Sequence, residues 1–142
     1  QHSLALKNDG TIWAWGYGIF GQLGDGNTYQ NTYPEQVSGL INVAAIEAGY
    51  NHSLSLKDDG TVWAWGQNYY GQLGNGTTSL SERPLHVQAL SNIIDIDSWI
   101  YHSLALKNDG TVWAWGNNEN GQLGDGAGSG RMGGPMDRPG PL

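Results

Sequence analysis

Three histidines, each followed at once by a serine, stand 50 residues apart at His2, His52 and His102. Imidazole beside hydroxyl is the pair that nucleophilic catalysis uses. Adjacent strand residues point to opposite faces, however, so a His and a Ser side by side in sequence are badly placed to share a proton. Identical positions in stacked copies converge near an axis, which raises a His metal triad as the alternative. No carboxylate recurs beside the rings to orient them, so we read them as buried or half-buried groups that hydrogen-bond the backbone of the neighbouring copy. Gly16-x-Gly18-x-x-Gly21 has the spacing of a dinucleotide fingerprint, but that chemistry requires a following helix, and the other copies read Gly66-x-Asn68 and Gly116-x-Asn118. Asp95 and Asp97 share a strand face without the remaining oxygen ligands of a cation loop. Asn75-Gly76-Thr77 and Asn51-His52-Ser53 fit the glycosylation pattern, the first in an expected surface loop. The residues therefore predict no catalytic, cofactor-binding or metal-binding site.

What positions these side chains is a repeat. HSLALKNDGTIWAWG at His2 to Gly16 returns as HSLSLKDDGTVWAWG at His52 to Gly66 and as HSLALKNDGTVWAWG at His102 to Gly116. A fixed period of this size marks one supersecondary unit copied and stacked because it cannot bury its apolar faces alone. Each copy reads as a hairpin turning at an Asp-Gly step. A two-residue turn at Asp9-Gly10 places Leu6 opposite Trp13 and Leu4 opposite Trp15, giving one bulky face and one small face, both buried in a stack. Glycines at four common places in Gly16 to Gly26, Gly66 to Gly76 and Gly116 to Gly126 mark tight turns. Residues Tyr33 to Val37 and Arg83 to Val87 carry a Pro near their start and read as edge strands; Val43 to Glu47 and Ile93 to Asp97 read as short buried strands. Four strands per period make one blade of a β-propeller, an all-β fold of antiparallel four-stranded sheets.

The stretch Ala48, Gly49, His52 to Leu56, Asp59, Gly60, Trp65, Gly66 and Gly71 to Gly76 resembles the repeat of the regulator of chromosome condensation family. The resemblance runs to about Gly126. It implies a ring of seven blades, of which the chain holds about three, since a full ring of such periods needs roughly 350 residues. Repeats are expected at approximately 1–50, 51–100 and 101–142, within one partial propeller spanning 1–142. The first blade lacks the innermost strand that Val43 to Glu47 gives the second. Residues 127–135 read as a Gly-rich insertion, and Met136 to Leu142 resembles Ser81 to Val87, an edge strand for the last blade. The ring would be completed by the rest of a longer chain or by self-association.

Charge and composition narrow the partners. The net charge is −7, and the six basic residues Lys7, Lys57, Lys107, Arg83, Arg131 and Arg138 are scattered. A nucleic-acid groove needs clustered bases, so nucleic acid is not expected. No apolar run approaches the length of a spanning helix, so membrane insertion is not expected either. The absence of cysteine removes disulfides and thiolate chemistry without fixing a compartment.

Function is expected where the copies differ. After the shared Trp-Gly, residues 17–20 read YGIF, 67–70 read QNYY and 117–120 read NNEN, while Gly49-Tyr50-Asn51 becomes Trp99-Ile100-Tyr101. Aromatic residues in loops dominate binding hot spots, so Tyr17, Ile19, Phe20, Tyr69 and Tyr70, with Asn118 and Glu119, are the candidate protein-binding residues. The alternative is that they cover blade edges. The primary expectation is a non-catalytic protein-binding scaffold; the resemblance also implies two others. One is guanine-nucleotide exchange on a small GTPase, which the founding member performs. The other is enzyme inhibition, as in secreted β-lactamase inhibitor propellers of similar repeats.

Overall fold

The Asp-Gly step turns the chain in three residues, not two. Gly10 N–H donates to the Lys7 carbonyl at 2.9 Å, Lys7 N–H donates to the Thr11 carbonyl at 2.9 Å, and Gly10 takes φ 79°. This is a tight turn closed by a left-handed glycine, which adds one residue to the loop. Asp9 Oδ1 braces it by accepting from Thr11 N–H at 3.0 Å and from the Thr11 hydroxyl at 2.6 Å. The extra residue shifts the expected register by one. Leu6 pairs with Ile12, Ala5 with Trp13, Leu4 with Ala14 and Ser3 with Trp15, correcting the pairs Leu6 with Trp13 and Leu4 with Trp15. One face therefore carries the tryptophans over Ser or Ala, and the other carries Leu, Ile and Ala.

The computed structural model describes residues 1–126. The strands are β1 His2–Leu6, β2 Ile12–Gly16, β3 Asn31–Gln36, β4 Val43–Ala48, β5 His52–Lys57, β6 Val62–Gly66, β7 Ser81–His86, β8 Ile93–Ser98, β9 His102–Lys107 and β10 Val112–Gly116. They form three antiparallel sheets, β1-β2-β3, β4-β5-β6-β7 and β10-β9-β8. The middle blade has its four strands, and the first lacks an inner strand as expected. The segment 127–142, with its expected insertion and edge strand, lies outside the described residues. Among the described residues no helix is long and apolar enough to cross a membrane.

Blades stack face to face. The Leu, Ile and Ala face of the first blade, with Leu23 and Val37, packs on Trp63, Trp65 and Ile46 of the second. The next seam repeats this with Leu54, Leu56, Val62 and Ala64 against Trp115, Ala105 and Trp113. Trp65 and Trp115 are fully buried, and burying a ring of that size supplies much of each seam's apolar area. β4 and β8 are less buried than expected. Only Val43 is fully covered on β4, while Ile94, Asp95 and Asp97 on β8 stay exposed, because the innermost strand of a blade has no strand beyond it.

Candidate functional site

The seam explains the repeated polar residues. His2 Nε2 lies 2.7 Å from the hydroxyl of Ser53 in the next blade, and His52 Nε2 lies 3.1 Å from Ser103. Each serine donates onward to a backbone carbonyl, Ser53 to Gln22 at 2.8 Å and Ser103 to Gln72 at 3.0 Å. The same two carbonyls accept the indole N–H of Trp65 at 2.9 Å and of Trp115 at 2.8 Å. The histidine thus meets a neighbouring side chain, not the expected backbone, and the backbone is reached through the serine. Stacking brings together the His and Ser that one strand keeps apart. It does not make a nucleophile of them, because Ser53 and Ser103 are fully buried with their protons committed to carbonyls.

Burial also fixes the protonation of these rings. It holds His52 down to about 3, aided by His2 and His102, and His2 down to about 4. Neutral imidazole is the form that accepts from or donates to a hydroxyl without bringing an unpaired charge into the seam. Gly49 is required beside it: a Cβ there would meet His52 Cε1 at 2.3 Å and the Trp99 carbonyl at 2.7 Å.

Antiparallel order places residues 17–30, 49–51, 67–80, 99–101 and 117–126 at one end of the blades and the Asp-Gly turns at the other. The first end gathers the variable aromatics. Tyr69 and Tyr70 meet edge to face at 5.2 Å, Tyr70 lies 5.0 Å from Tyr101, and Tyr101 meets Tyr50 at 6.1 Å. Tyr69 is 61% exposed. The Tyr70 hydroxyl is pushed up by burial, then by the Glu119 carboxylate and the neighbouring phenols. Tyr17 and Phe20 form a separate edge-to-face pair at 6.3 Å, with Ile19 exposed between them.

Asn118 stands apart from the other candidates. It is buried, its amide donates to Asp125 at 3.1 Å, and its oxygen accepts from Leu123 N–H at 3.0 Å. Asn68 does the same work one blade earlier, reaching Asn75, Thr77 and Ser79 and accepting from Leu73. Both side chains hold their loops closed. In the first blade the corresponding Gly18 leaves no room for a side chain, since a Cβ there would lie 1.9 Å from the Tyr29 carbonyl. That contact accounts for the glycine spacing that mimics a dinucleotide loop.

Three residues escaped the sequence reading. Trp99, 68% exposed, Tyr101 and Tyr50 all belong to the aromatic end. Their signal was present in the replacement of Gly49-Tyr50-Asn51 by Trp99-Ile100-Tyr101, which differs between copies as strongly as the stretch after Trp-Gly. Among the described residues no group of three or more His, Cys, Asp or Glu is arranged to hold a metal ion.

Stacked antiparallel blades with a constant seam and a variable loop end define a partial β-propeller of repeats. The regulator of chromosome condensation (RCC1) repeat pattern matches residues 9–56 and 59–106, and a second pattern of the same description matches 43–72 and 99–122. The chain belongs to the RCC1 repeat family. Human WBSCR16 is similar at TM-score 0.80 and 25% identity, covering 97% of this chain and 36% of that one. Yeast RCC1 (Prp20), solved bound to Kap60, is similar at TM-score 0.80 and 22% identity over 95% of this chain and 34% of that one. Prp20p from Saccharomyces cerevisiae, described with its binding to Gsp1p and histones, gives TM-score 0.79 and 23% identity over 95% and 36%. The chain therefore spans about a third of the length of these structures.

Proposed function

We propose that this chain is a non-catalytic protein-binding segment of a propeller, engaging its partner through the aromatic loop end. The observation that carries the reading is the run Tyr69, Tyr70, Tyr101 and Tyr50, four rings in mutual contact at positions the repeat leaves free. Rigid aromatic rings bury much area at low entropic cost, which suits them to anchoring a partner. The repeated polar residues favour the same reading, because His2, His52, Ser53, Ser103, Asn68 and Asn118 are occupied in seams and turns. The structural neighbours whose descriptions name Kap60, Gsp1p and histones support a protein partner and share only the fold with this chain.

The test compares the proteins retained by immobilised wild-type chain and by a Tyr69→Ala, Tyr70→Ala variant, with thermal unfolding of both measured alongside. Specific loss of a retained protein at unchanged unfolding temperature supports the reading. An unchanged set, or a variant that unfolds much earlier, returns the rings to an edge-covering role. Accelerated nucleotide release from a small GTPase would move the function to exchange, and one-to-one titration of an enzyme's activity would move it to inhibition.

A further inference from the structure

One asparagine at the loop end breaks the repeat. The first and third blades carry Asp25-Gly26 and Asp125-Gly126 where the second carries Asn75-Gly76. Each side chain braces its own loop. Asp25 accepts from Asn27 N–H at 3.0 Å, and Asp125 accepts from the Asn118 amide at 3.1 Å. Asn75 Oδ1 combines both bonds, accepting from Thr77 N–H at 3.1 Å and from the Asn68 amide at 3.1 Å. The Thr77 hydroxyl adds a third donor at 3.0 Å. A carbonyl oxygen that receives three donors is prepared to take negative charge, which is what addition of a nucleophile to its carbon requires.

The nucleophile is the next nitrogen in the chain. The bond from Thr77 N–H to Asn75 Oδ1 closes a ring of atoms that contains both the Asn75 Cγ and the Gly76 nitrogen, so the side chain folds back over the peptide that can attack it. Gly76 is exposed and has no Cβ to hinder that approach. Its N–H has no acceptor among the described residues. Asn120-Gly121 is the other Asn-Gly step in the sequence, and it is held differently. The exposed Asn120 side chain has no hydrogen-bond partner among the described residues, while Gly121 N–H donates to the Asn118 carbonyl at 3.2 Å. One dipeptide thus has a polarised carbonyl and an uncommitted nitrogen, and the other has neither.

We propose that Asn75 is a self-modification site, at which the Gly76 nitrogen attacks the Asn75 side-chain carbonyl and the residue becomes aspartate or isoaspartate. The bond from the Gly76 nitrogen to Cγ forms, the Cγ–Nδ2 bond breaks, and the side-chain amide leaves as ammonia with the Gly76 proton. Water then opens the five-membered imide. Cleavage between Cγ and nitrogen leaves aspartate in a normal backbone; cleavage at the main-chain carbonyl leaves isoaspartate, with the chain running through Cγ. Aspartate is the residue that the same loop holds in the other two blades, so that product keeps the turn while the loop end gains a negative charge. Isoaspartate lengthens the backbone and opens the turn. The chemistry needs no partner and stands apart from the protein-binding reading above.

The test incubates the full chain at mildly alkaline pH, folded and in urea, and follows Asn75 and Asn120 by peptide mass spectrometry with isoaspartate resolved by chromatography. In the folded chain Asn75 is expected to be lost about tenfold faster than Asn120. In urea, where neither loop is held, the two rates are expected to converge. Thr77→Val removes the hydroxyl donor at nearly constant shape and should slow the loss at Asn75 by about threefold, whereas Thr77→Ser should keep the original rate. Loss at Asn75 no faster than at Asn120 in the folded chain, a difference that persists in urea, or an unchanged rate in Thr77→Val overturns the proposal. If thermal unfolding shows that Thr77→Val does not fold, the comparison of folded and urea-treated wild type decides by itself.

Discussion

The two ends of the blade stack are built from the same strands and behave as opposites. At the Asp-Gly end every copy repeats the same contacts: Asp9, Asp59 and Asp109 each accept from the threonine two residues on, at 2.6 Å to the hydroxyl. Lys7, Lys57 and Lys107 each lie over their own blade's tryptophan at 5.4, 5.9 and 5.6 Å. At the loop end the turn bonds of Gln22, Gln72 and Gln122 still repeat, but the residues left facing out differ in every copy. The first pairs Tyr17 with Phe20, the second starts a ladder at Tyr69 and Tyr70, and the third offers Glu119 and an exposed Trp99. Contacts closed within one hairpin are copied with the hairpin. Loop contacts made between blades depend on who the neighbour is, so they are free to diverge. Stability is therefore expected to follow the constant seam and turns, and recognition to follow the loop end.

The hardest blow to that division is a cut in the seam. Trp65→Ala removes a fully buried ring and an indole bond to the Gln22 carbonyl, and should cost about 3–5 kcal/mol in urea unfolding. A cost near zero would mean that the blades do not depend on their stacking. Acid attacks the same place. The unfolded chain takes up protons on histidine below about 6.5, whereas the folded chain resists until about 3 for His52 and about 4 for His2. Stability therefore falls as pH falls through that window, by about 2 kcal/mol from His52 alone between the unperturbed value and about pH 5. The raised Glu47 acts in the opposite sense, favouring the folded state as its carboxyl protonates. Denaturant titrations at several pH values should show the loss, and His52→Gln should flatten it.

A smaller change sharpens the comparison by improving the seam. Ser55 is buried with no partner for its hydroxyl, while Ala5 and Ala105 occupy the same position in the other blades. Ser55→Ala should stabilise by about 1 kcal/mol, read as a higher urea midpoint. The smallest expected effect on stability belongs to the loop end. Tyr69→Ala should change unfolding by less than about 0.5 kcal/mol, as for an exposed surface residue, while altering partner binding.

The architecture was legible because it was written three times. The period, the propeller class and the missing inner strand of the first blade follow from His2 to Gly16 and its copies. The register was not, because Asp9-Gly10 suits a two-residue turn and a three-residue turn alike, and only the Lys7 to Thr11 bond tells them apart. The partners of His2 and Ser53 were hidden for a different reason. Periodicity reveals what recurs within a blade, whereas these two residues are 51 apart and meet only through stacking. Gln22 lies in the stretch read as tight turns, and while its side chain does serve the turn, its role in the seam depends on its carbonyl, which sequence does not distinguish from any other. Of the candidate binders, Tyr69 and Tyr70 gather at one place, and Tyr17, Ile19 and Phe20 at a second. Asn118 turns inward because its neighbours offer it a closed set of backbone and side-chain partners.

The carbonyls of Gln22 and Gln72 divide the burden of mutation unequally between the two sides of a seam. Each receives an indole and a hydroxyl, yet as main-chain atoms they remain whatever side chain the codon specifies. The donors have no such protection, since Trp65, Trp115, Ser53 and Ser103 each vanish with a single substitution. The acceptor itself thus survives substitution, while the buried Gln22 and Gln72 side chains, whose Oε1 atoms accept from Phe20 and Tyr70 N–H, hold the turn that presents it. The residues beyond Gly26 and Gly76 can change from copy to copy without removing that acceptor.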